Sequence, residues 1–341
     1  MIVLIGLMRA VIGMNCGMFK CKTSSIPFPD ESYCIHTISN TYYIDPCSSP
    51  YACQVSYPYN ETKCTYLSPY IANSRYPGES CKYNSDCYYS TTCISGICVG
   101  QSTGSPCSIS RSCEIGSFCS TDNFCVKQLP LGTFGCNNDY QCVNTAGCRI
   151  LSNTNSALNQ CVKYFSLANL SPLINVNAMV CQSGYTNGTN CMEAPVSQVV
   201  PNQCTSNSNC SSKTGGQQGY CLCGYNSKGT SYCTLFAGDD IALKANAYTL
   251  KWLESSGIAK AHTNNRLRYD YIRENWNKED AAKYEYYNTY YTNFALFYGA
   301  EECALEVFGI NFLQAKEVVD SGSESSDFST VLAFGVLSYL L

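Results

Sequence analysis

The chain has 341 residues, 26 of them cysteine, and its 21 Lys and Arg against 25 Asp and Glu give a formal net charge of −4. Thiols at this density persist as disulfides in an oxidising, extracytoplasmic space, which excludes an ordinary cytosolic protein. Only two histidines, His36 and His262, are present and no C-x2-C pair occurs, so a disulfide framework is expected and metal binding is not.

Residues 1–13 read as a signal peptide. Ile2 to Met8 form an apolar run, Arg9 interrupts it, and cleavage after Gly13 leaves Val11 and Gly13 at the compact positions a signal peptidase tolerates. The alternative is a buried N-terminal strand. Residues 14–77 form an N-terminal cysteine-rich region containing Cys47 and Cys53 and the sequon at Asn60. Further sequons stand at Asn169, Asn187 and Asn209, the last with Cys210 inside it. In an exported chain all four are candidate glycan acceptors on surface loops.

Residues 78–162 hold three tandem repeats. Gly78 precedes Cys81, Cys87, Cys93 and Cys98; Gly104 precedes Cys107, Cys113, Cys119 and Cys125; Gly132 precedes Cys136, Cys142, Cys148 and a delayed Cys161. Glycine before the first cysteine suits a turn at positive φ, and Val99, Val126 and Val162 follow the last. Four cysteines permit three connectivities, and spacing does not choose among them. This region has few aliphatic runs, so cross-links must replace burial. The expected fold class is small disulfide-rich modules, short β-hairpins and loops in extended tandem, followed by an α-helical C-terminal domain.

Residues 163–236 continue the cysteine-rich region, with Cys204 and Cys210, then Cys221-Leu222-Cys223-Gly224-Tyr225 running on to Cys233. Residues 237–319 change character. Asp239 or Asp240 can cap a helix in which Ile241, Ala245, Tyr248 and Trp252 share a face, with Gly257 ending it. A longer helix is expected from about Arg266 to Phe297, with Tyr284, Tyr287, Tyr291, Phe294 and Tyr298 on one aromatic face; Leu305, Phe308 and Phe312 continue a helical period. A packed seam is the expected role of these rings, in preference to cofactor stacking. Parity adds one inference. If the signal is cut before Cys16, the chain up to Cys233 holds an odd number of cysteines, so Cys303 must bridge back to that region.

Residues 320–341 have the layout of a glycosylphosphatidylinositol (GPI) attachment signal: small polar residues, then the uncharged Phe328 to Leu341. Ser321 is the preferred attachment residue and Ser323 the second choice. As a helix this tail reaches only ~21 Å, short of the ~30 Å hydrocarbon core.

The three repeats, over 78–162, resemble Dickkopf-type N-terminal cysteine-rich repeats in their G-x-x-C-x5-C-x5-C spacing. Cys221 to Cys233 resembles the second half of an EGF-like module, without the acidic residues of calcium-binding members. Taken whole, the chain is similar to the cysteine-periodic, GPI-anchored surface proteins of ciliates, including the immobilisation-antigen type. That resemblance implies a cell-surface coat and transfers no binding residue.

Catalytic patterns are weak. Gly100-Gln101-Ser102-Thr103-Gly104 satisfies G-x-S-x-G, but a nucleophile elbow needs a buried strand before it and a helix after it, and this segment links two cysteine modules. His262 has Ser255, Ser256 and Asp270 near it only in sequence. No H-E-x-x-H, P-loop or dinucleotide fingerprint occurs. Arg266, Arg268, Arg273 and Lys278 are interleaved with Asp270, Glu274, Glu279 and Asp280, which leaves no net basic field for nucleic acid. The expectation is a non-enzymatic, GPI-anchored extracellular coat or structural glycoprotein without cofactor. Its partners would be the membrane, through lipid, and other surface proteins or itself. A recognition or signalling module is the alternative, and a secreted hydrolase or protease inhibitor the third reading.

Overall fold

The computed structural model of the protein describes residues 16–322 apart from 27, 56–60, 67–71, 175–176 and 215. The expected signal peptide, Asn60, Ser323 and the apolar tail lie outside the described residues. The chain forms two compact units, each assembled from separate segments. One takes Met1–Leu67, Pro195–Asp239 and Thr289–Leu341; the other takes Ser68–Ala194 and Asp240–Asn288. Small disulfide-rich hairpin modules stand in tandem along the chain, and α-helices follow them.

In the first unit, β1 (Met18–Cys21), β2 (Tyr33–Ile38), β3 (Thr41–Ile44), β4 (Tyr51–Cys53) and β5 (Thr62–Tyr66) form a sheet in the order β1-β3-β2-β5-β4. β1 runs parallel to β3, and the other neighbours are antiparallel. Phe19 and Ile44 are buried with Cys303 and Ala304. The Phe19 ring meets those of Tyr225 and Phe308 edge-on at 5.2 and 5.6 Å.

The three repeats lie in the second unit, and each carries one hairpin. These are β6 (Thr92–Ile94) with β7 (Ile97–Val99), β8 (Ser117–Cys119) with β9 (Cys125–Lys127), and β10 (Ala146–Arg149) with β11 (Gln160–Lys163). The third and fourth cysteines of a repeat face each other across its hairpin, as Cys93↔Cys98, Cys119↔Cys125 and Cys148↔Cys161. They do not bond to each other. The first cysteine pairs with the third and the second with the fourth: Cys81–Cys93 and Cys87–Cys98, Cys107–Cys119 and Cys113–Cys125, Cys136–Cys148 and Cys142–Cys161. Gly78, Gly104 and Gly132 have φ of +93°, +88° and +83°, the left-handed turn that glycine adopts without a Cβ clash.

Successive repeats of the tandem are also joined to one another through their backbones. The residue leaving one repeat forms a parallel bridge to the second cysteine of the next, as Gln101↔Cys113 and Leu129↔Cys142. Gln101 N–H donates to the Ser112 carbonyl at 2.7 Å and its own carbonyl accepts from Glu114 N–H at 2.8 Å.

The same bridge continues as Leu167↔Cys181 and exposes a fourth, reduced repeat around Cys181–Cys191. Like the others it has a 3-10 turn, Ala178–Val180, directly before its second-position cysteine. Leu170 N–H donates to the Cys191 carbonyl as Gly78 N–H does to Cys98. This repeat has no first or third cysteine: Asn175 stands six residues before Cys181 in the sequence, and Thr186 pairs with Cys191 where the third cysteine would stand.

The first unit holds a further copy of the pattern. β12 (Cys221–Cys223) pairs with β13 (Ser231–Cys233), and the bridges are Cys204–Cys221 and Cys210–Cys233. Cys223 leaves this hairpin to bond Cys16. The segment from Cys221 to Cys233 is therefore the closing hairpin of a repeat that starts at Cys204. In the N-terminal sheet Cys34–Cys53 and Cys47–Cys64 interleave in the same order.

The helices are α1 (Asp240–Leu253), α2 (Tyr269–Asn275), α3 (Lys278–Phe297), α4 (Glu302–Phe308) and α5 (Ile310–Gly322). They are shared between the units, with the division falling inside α3 between Asn288 and Thr289. In the second unit Trp252, Leu253, Ile258, Tyr271, Ile272 and Tyr284 form one core with Tyr164, Leu173, Val180 and the Cys181–Cys191 bridge. The helix expected from Arg266 to Phe297 is broken instead. Trp276 is extended, and the Asn277 side chain accepts from Asp280 N–H at 2.9 Å, capping α3. The aromatic residues of α3 do not form the expected single face. Tyr284, Tyr286, Tyr290, Phe294 and Phe297 are buried while Tyr287, Tyr291 and Tyr298 are half-buried, because α3 changes unit and kinks at Asn293. Asp239 does not cap α1. Its carboxylate turns back to accept from Phe236 N–H and Ser197 N–H, both at 2.7 Å.

Candidate functional site

Thirteen bridges use every cysteine, so no free thiol is present. In each complete repeat three sulfurs lie within 4.8 Å of one another, for example those of Cys81, Cys87 and Cys98. A metal would need thiolates there, and these sulfurs are spent in S–S bonds. Cys303, required by parity to reach back, bonds Cys21 across a sequence separation of 282. Glu301 lies beside this bridge and accepts from Cys21 N–H at 3.0 Å.

One side-chain signal accompanies every complete repeat. The residue three before the second cysteine accepts from the backbone N–H of the third cysteine: Asn84 from Cys93 at 2.9 Å, Ser110 from Cys119 at 3.2 Å, Asp139 from Cys148 and Asn207 from Cys221, both at 2.8 Å. The reduced repeat has Ala178 there, with no oxygen to offer. Asn, Ser or Asp at this offset is a periodicity that reading the cysteines alone does not reveal.

Within the second unit, the segment between α1 and α2 binds all three complete repeats through separate polar side chains. Arg268 reaches the first repeat at Glu79, at 3.2 and 3.1 Å from its two carboxylate oxygens, and also donates to the Ser74 carbonyl. His262 Nε2 lies 3.2 Å from the Ser110 carbonyl of the second. For the third, Asn144 donates to the Ile258 and Ala261 carbonyls at 3.1 and 2.6 Å, and Arg266 donates to the Ala146 carbonyl at 3.1 Å. Trp252 Nε1–H secures the segment from below by donating to the Arg266 carbonyl.

Burial gives this network its electrostatic character. Glu79 is 1 % exposed. Desolvation raises its pKa above the usual carboxylate value, with Tyr76 N–H, Arg268 and Arg75 pulling the other way. His262 is 0 % exposed, and burial lowers its pKa from 6.5 to about 4 against the carbonyls of Ser110 and Cys113. Its partners fix the tautomer. A carbonyl can only accept, so Nε2 carries the proton, while Nδ1 accepts from Asn264 N–H at 3.2 Å. The ring is held neutral between a carbonyl and a donor, and Tyr76 stacks on it with centroids 6.1 Å apart. Neither Asp270 nor Ser255 hydrogen-bonds His262.

Ser102, of the G-x-S-x-G pattern, bonds Ser105 Oγ at 3.0 Å in an exposed turn. The two glycines of that pattern have backbone roles: Gly104 adopts positive φ, and a Cβ on Gly100 would lie 2.4 Å from the Cys113 carbonyl oxygen. His36 Nδ1 lies 3.0 Å from Glu61 Oε1.

Among the described sequons, Asn169 is exposed in a turn and Asn187 is exposed on a hairpin tip. Asn209 ends a 3-10 turn that leads into the Cys210–Cys233 bridge. Ser321 is exposed in the last turn of α5, its hydroxyl donating to the Val318 carbonyl at 3.0 Å. Among the described residues no helix is long and apolar enough to cross a membrane. No family model, curated protein or solved structure matches this chain.

Proposed function

We propose that this is a non-enzymatic extracellular protein of the cell surface, exported, glycosylated and held by a GPI anchor, with a coat or structural role. The single observation carrying this reading is the complete use of the cysteines in interleaved bridges. It suits an oxidising space, where such links replace a large apolar interior. Its mechanism would be steric and mechanical. Stacked repeats resist unfolding and proteolysis because each hairpin is stapled twice and bridged to its neighbour, and a lipid anchor would concentrate many copies. Attachment at Ser321 would require the last turn of α5 to unwind so that the Ser321–Gly322 bond can be exchanged for the lipid's amine.

A second reading, recognition or adhesion, is favoured by the outward side chains of the repeats. Tyr89 is 66 % exposed and Leu170 71 %, and the residue two after the first cysteine changes from Tyr83 to Ile109 to Asn138. Variation of exposed residues on a constant scaffold is how a binding surface is built.

Intact cells displaying the protein, treated with phosphatidylinositol-specific phospholipase C, test the first reading. Release into the medium is expected; retention in the cell fraction contradicts the lipid anchor.

A further inference from the structure

The reduced repeat differs from its neighbours at the hairpin that should carry a third cysteine. Thr186 pairs with Cys191 there, taking the register place that Cys93 takes opposite Cys98 in the first repeat. The sequon Asn187-Gly188-Thr189 follows at the tip.

Its geometry is that of a pre-formed acceptor. Asn187 Oδ1 accepts from Thr189 N–H and Thr189 Oγ1, both at 3.0 Å, and from Asn190 N–H at 2.8 Å. The amide oxygen is thereby engaged by the backbone and hydroxyl that follow it, and Nδ2 of this exposed residue has no hydrogen-bond partner among the described residues. The hydroxyl two residues on is already bonded to the amide it must assist. Gly188 between them has φ of +92° and nothing within 4 Å of where a Cβ would stand, so the tip is open.

Asn209 is the contrast. The residue inside its sequon, Cys210, is 1 % exposed and bonded to Cys233. Asn209 Oδ1 accepts from Thr205 N–H at 2.9 Å and Thr205 Oγ1 at 3.1 Å, four residues back in the chain. The required hydroxyl, Ser211 Oγ, instead accepts from Gln198 Nε2 at 3.0 Å.

We propose that Asn187 carries an N-linked glycan and Asn209 does not. This rests on the export reading given above. The co-substrate is an oligosaccharide linked through its anomeric carbon to a polyprenyl pyrophosphate. Asn187 Nδ2 attacks that carbon and an N–C bond forms. The C–O bond to pyrophosphate breaks, the lipid pyrophosphate leaves with the electron pair, and one amide proton is lost to base. A glycan at this tip displaces no buried contact and covers the hairpin where the repeat lacks its second staple.

The test is expression of the full chain, from its own first residue, in a eukaryotic secretory cell. Material reaching the medium is treated with peptide N-glycosidase F in H₂¹⁸O and mapped by mass spectrometry. Expected are ¹⁸O-labelled aspartate at position 187, unmodified Asn209, and loss of the label in Thr189→Ala with Thr189→Ser retaining it. Secreted, disulfide-bonded chain with an unmodified Asn187, or with a labelled position 209, overturns this proposal alone. Chain retained in the cytosol with reduced cysteines overturns it together with the export reading.

Discussion

Arg268 grips Glu79 through a single nitrogen, Nη1, at 3.2 and 3.1 Å from the two carboxylate oxygens, across 189 residues of sequence. The carboxylate is fully buried, whereas the Arg268 side chain is 29 % exposed. Removing the arginine therefore leaves a carboxylate that water cannot reach, with Tyr76 N–H and the more distant Arg75, 3.8 Å away, to offset its burial. Arg268→Met is expected to destabilise the second unit by about 2 kcal/mol, below the ~3–5 kcal/mol of a fully buried pair because solvent screens the arginine. Adding Glu79→Gln should return part of that loss. Urea unfolding midpoints under non-reducing conditions of the two single variants and the double variant measure the coupling.

His262 predicts an acid limb of stability. Its folded pKa of about 4 lies below the ordinary 6.5. The unfolded state therefore binds the proton more readily, and the ring's contribution is complete above pH 6.5 and lost as pH falls toward 4. The loss amounts to about 3 kcal/mol. Glu79, raised by burial, acts in the opposite sense, its native form taking up a proton first as pH falls. Unfolding free energy measured from pH 7 to pH 4 should therefore fall less steeply in His262→Gln than in the wild type.

The two glycines of G-x-S-x-G should separate. A methyl on Gly100 meets the Cys113 backbone at 2.4 Å, and backbone cannot swing aside; Gly104 has open space and only its φ of +88°. Gly100→Ala is expected to cost about 3 kcal/mol by overpacking and Gly104→Ala about 1–2 kcal/mol by strain. Hydrogen exchange at the Gln101 and Glu114 amides, which span the repeat-to-repeat bridge, should accelerate in the first variant and not in the second.

The Cys21–Cys303 bridge closes a smaller loop than its separation of 282 suggests, because Cys16–Cys223 already links nearby points. The effective loop is about 85 residues, for which chain entropy gives ~4–5 kcal/mol. Cys21→Ser with Cys303→Ser should lower stability by about that amount while the second unit keeps its own unfolding midpoint. Tryptophan fluorescence reports that unit directly, since Trp252 and Trp276 both lie in it.

The features legible in the sequence were those with local physical causes. Gly78, Gly104 and Gly132 announce left-handed turns, and α1 follows from its periodic apolar residues. The connectivity within a repeat was not legible, because Cys93 and Cys98 face each other yet bond elsewhere. The reduced repeat was hidden by the loss of the two cysteines that would have marked it. Asn277 ends the aromatic run by a side-chain cap that competes with helix propensity, a local signal outweighed by the periodicity around it. Glu79, Asn144 and His262 form one network only after distant segments pack, and no spacing rule links them. The first unit draws on three separate segments of the chain, and Cys16–Cys223 and Cys21–Cys303 link those segments covalently.

A peptide map of the native protein, digested without reduction after alkylation of any free thiol, tests the central claim that interleaved disulfides hold these repeats. The account predicts no alkylated cysteine, and Cys81 linked to Cys93, Cys87 to Cys98, and Cys21 to Cys303. Alkylated cysteines in folded material, or a direct Cys93–Cys98 link across the hairpin, would contradict it.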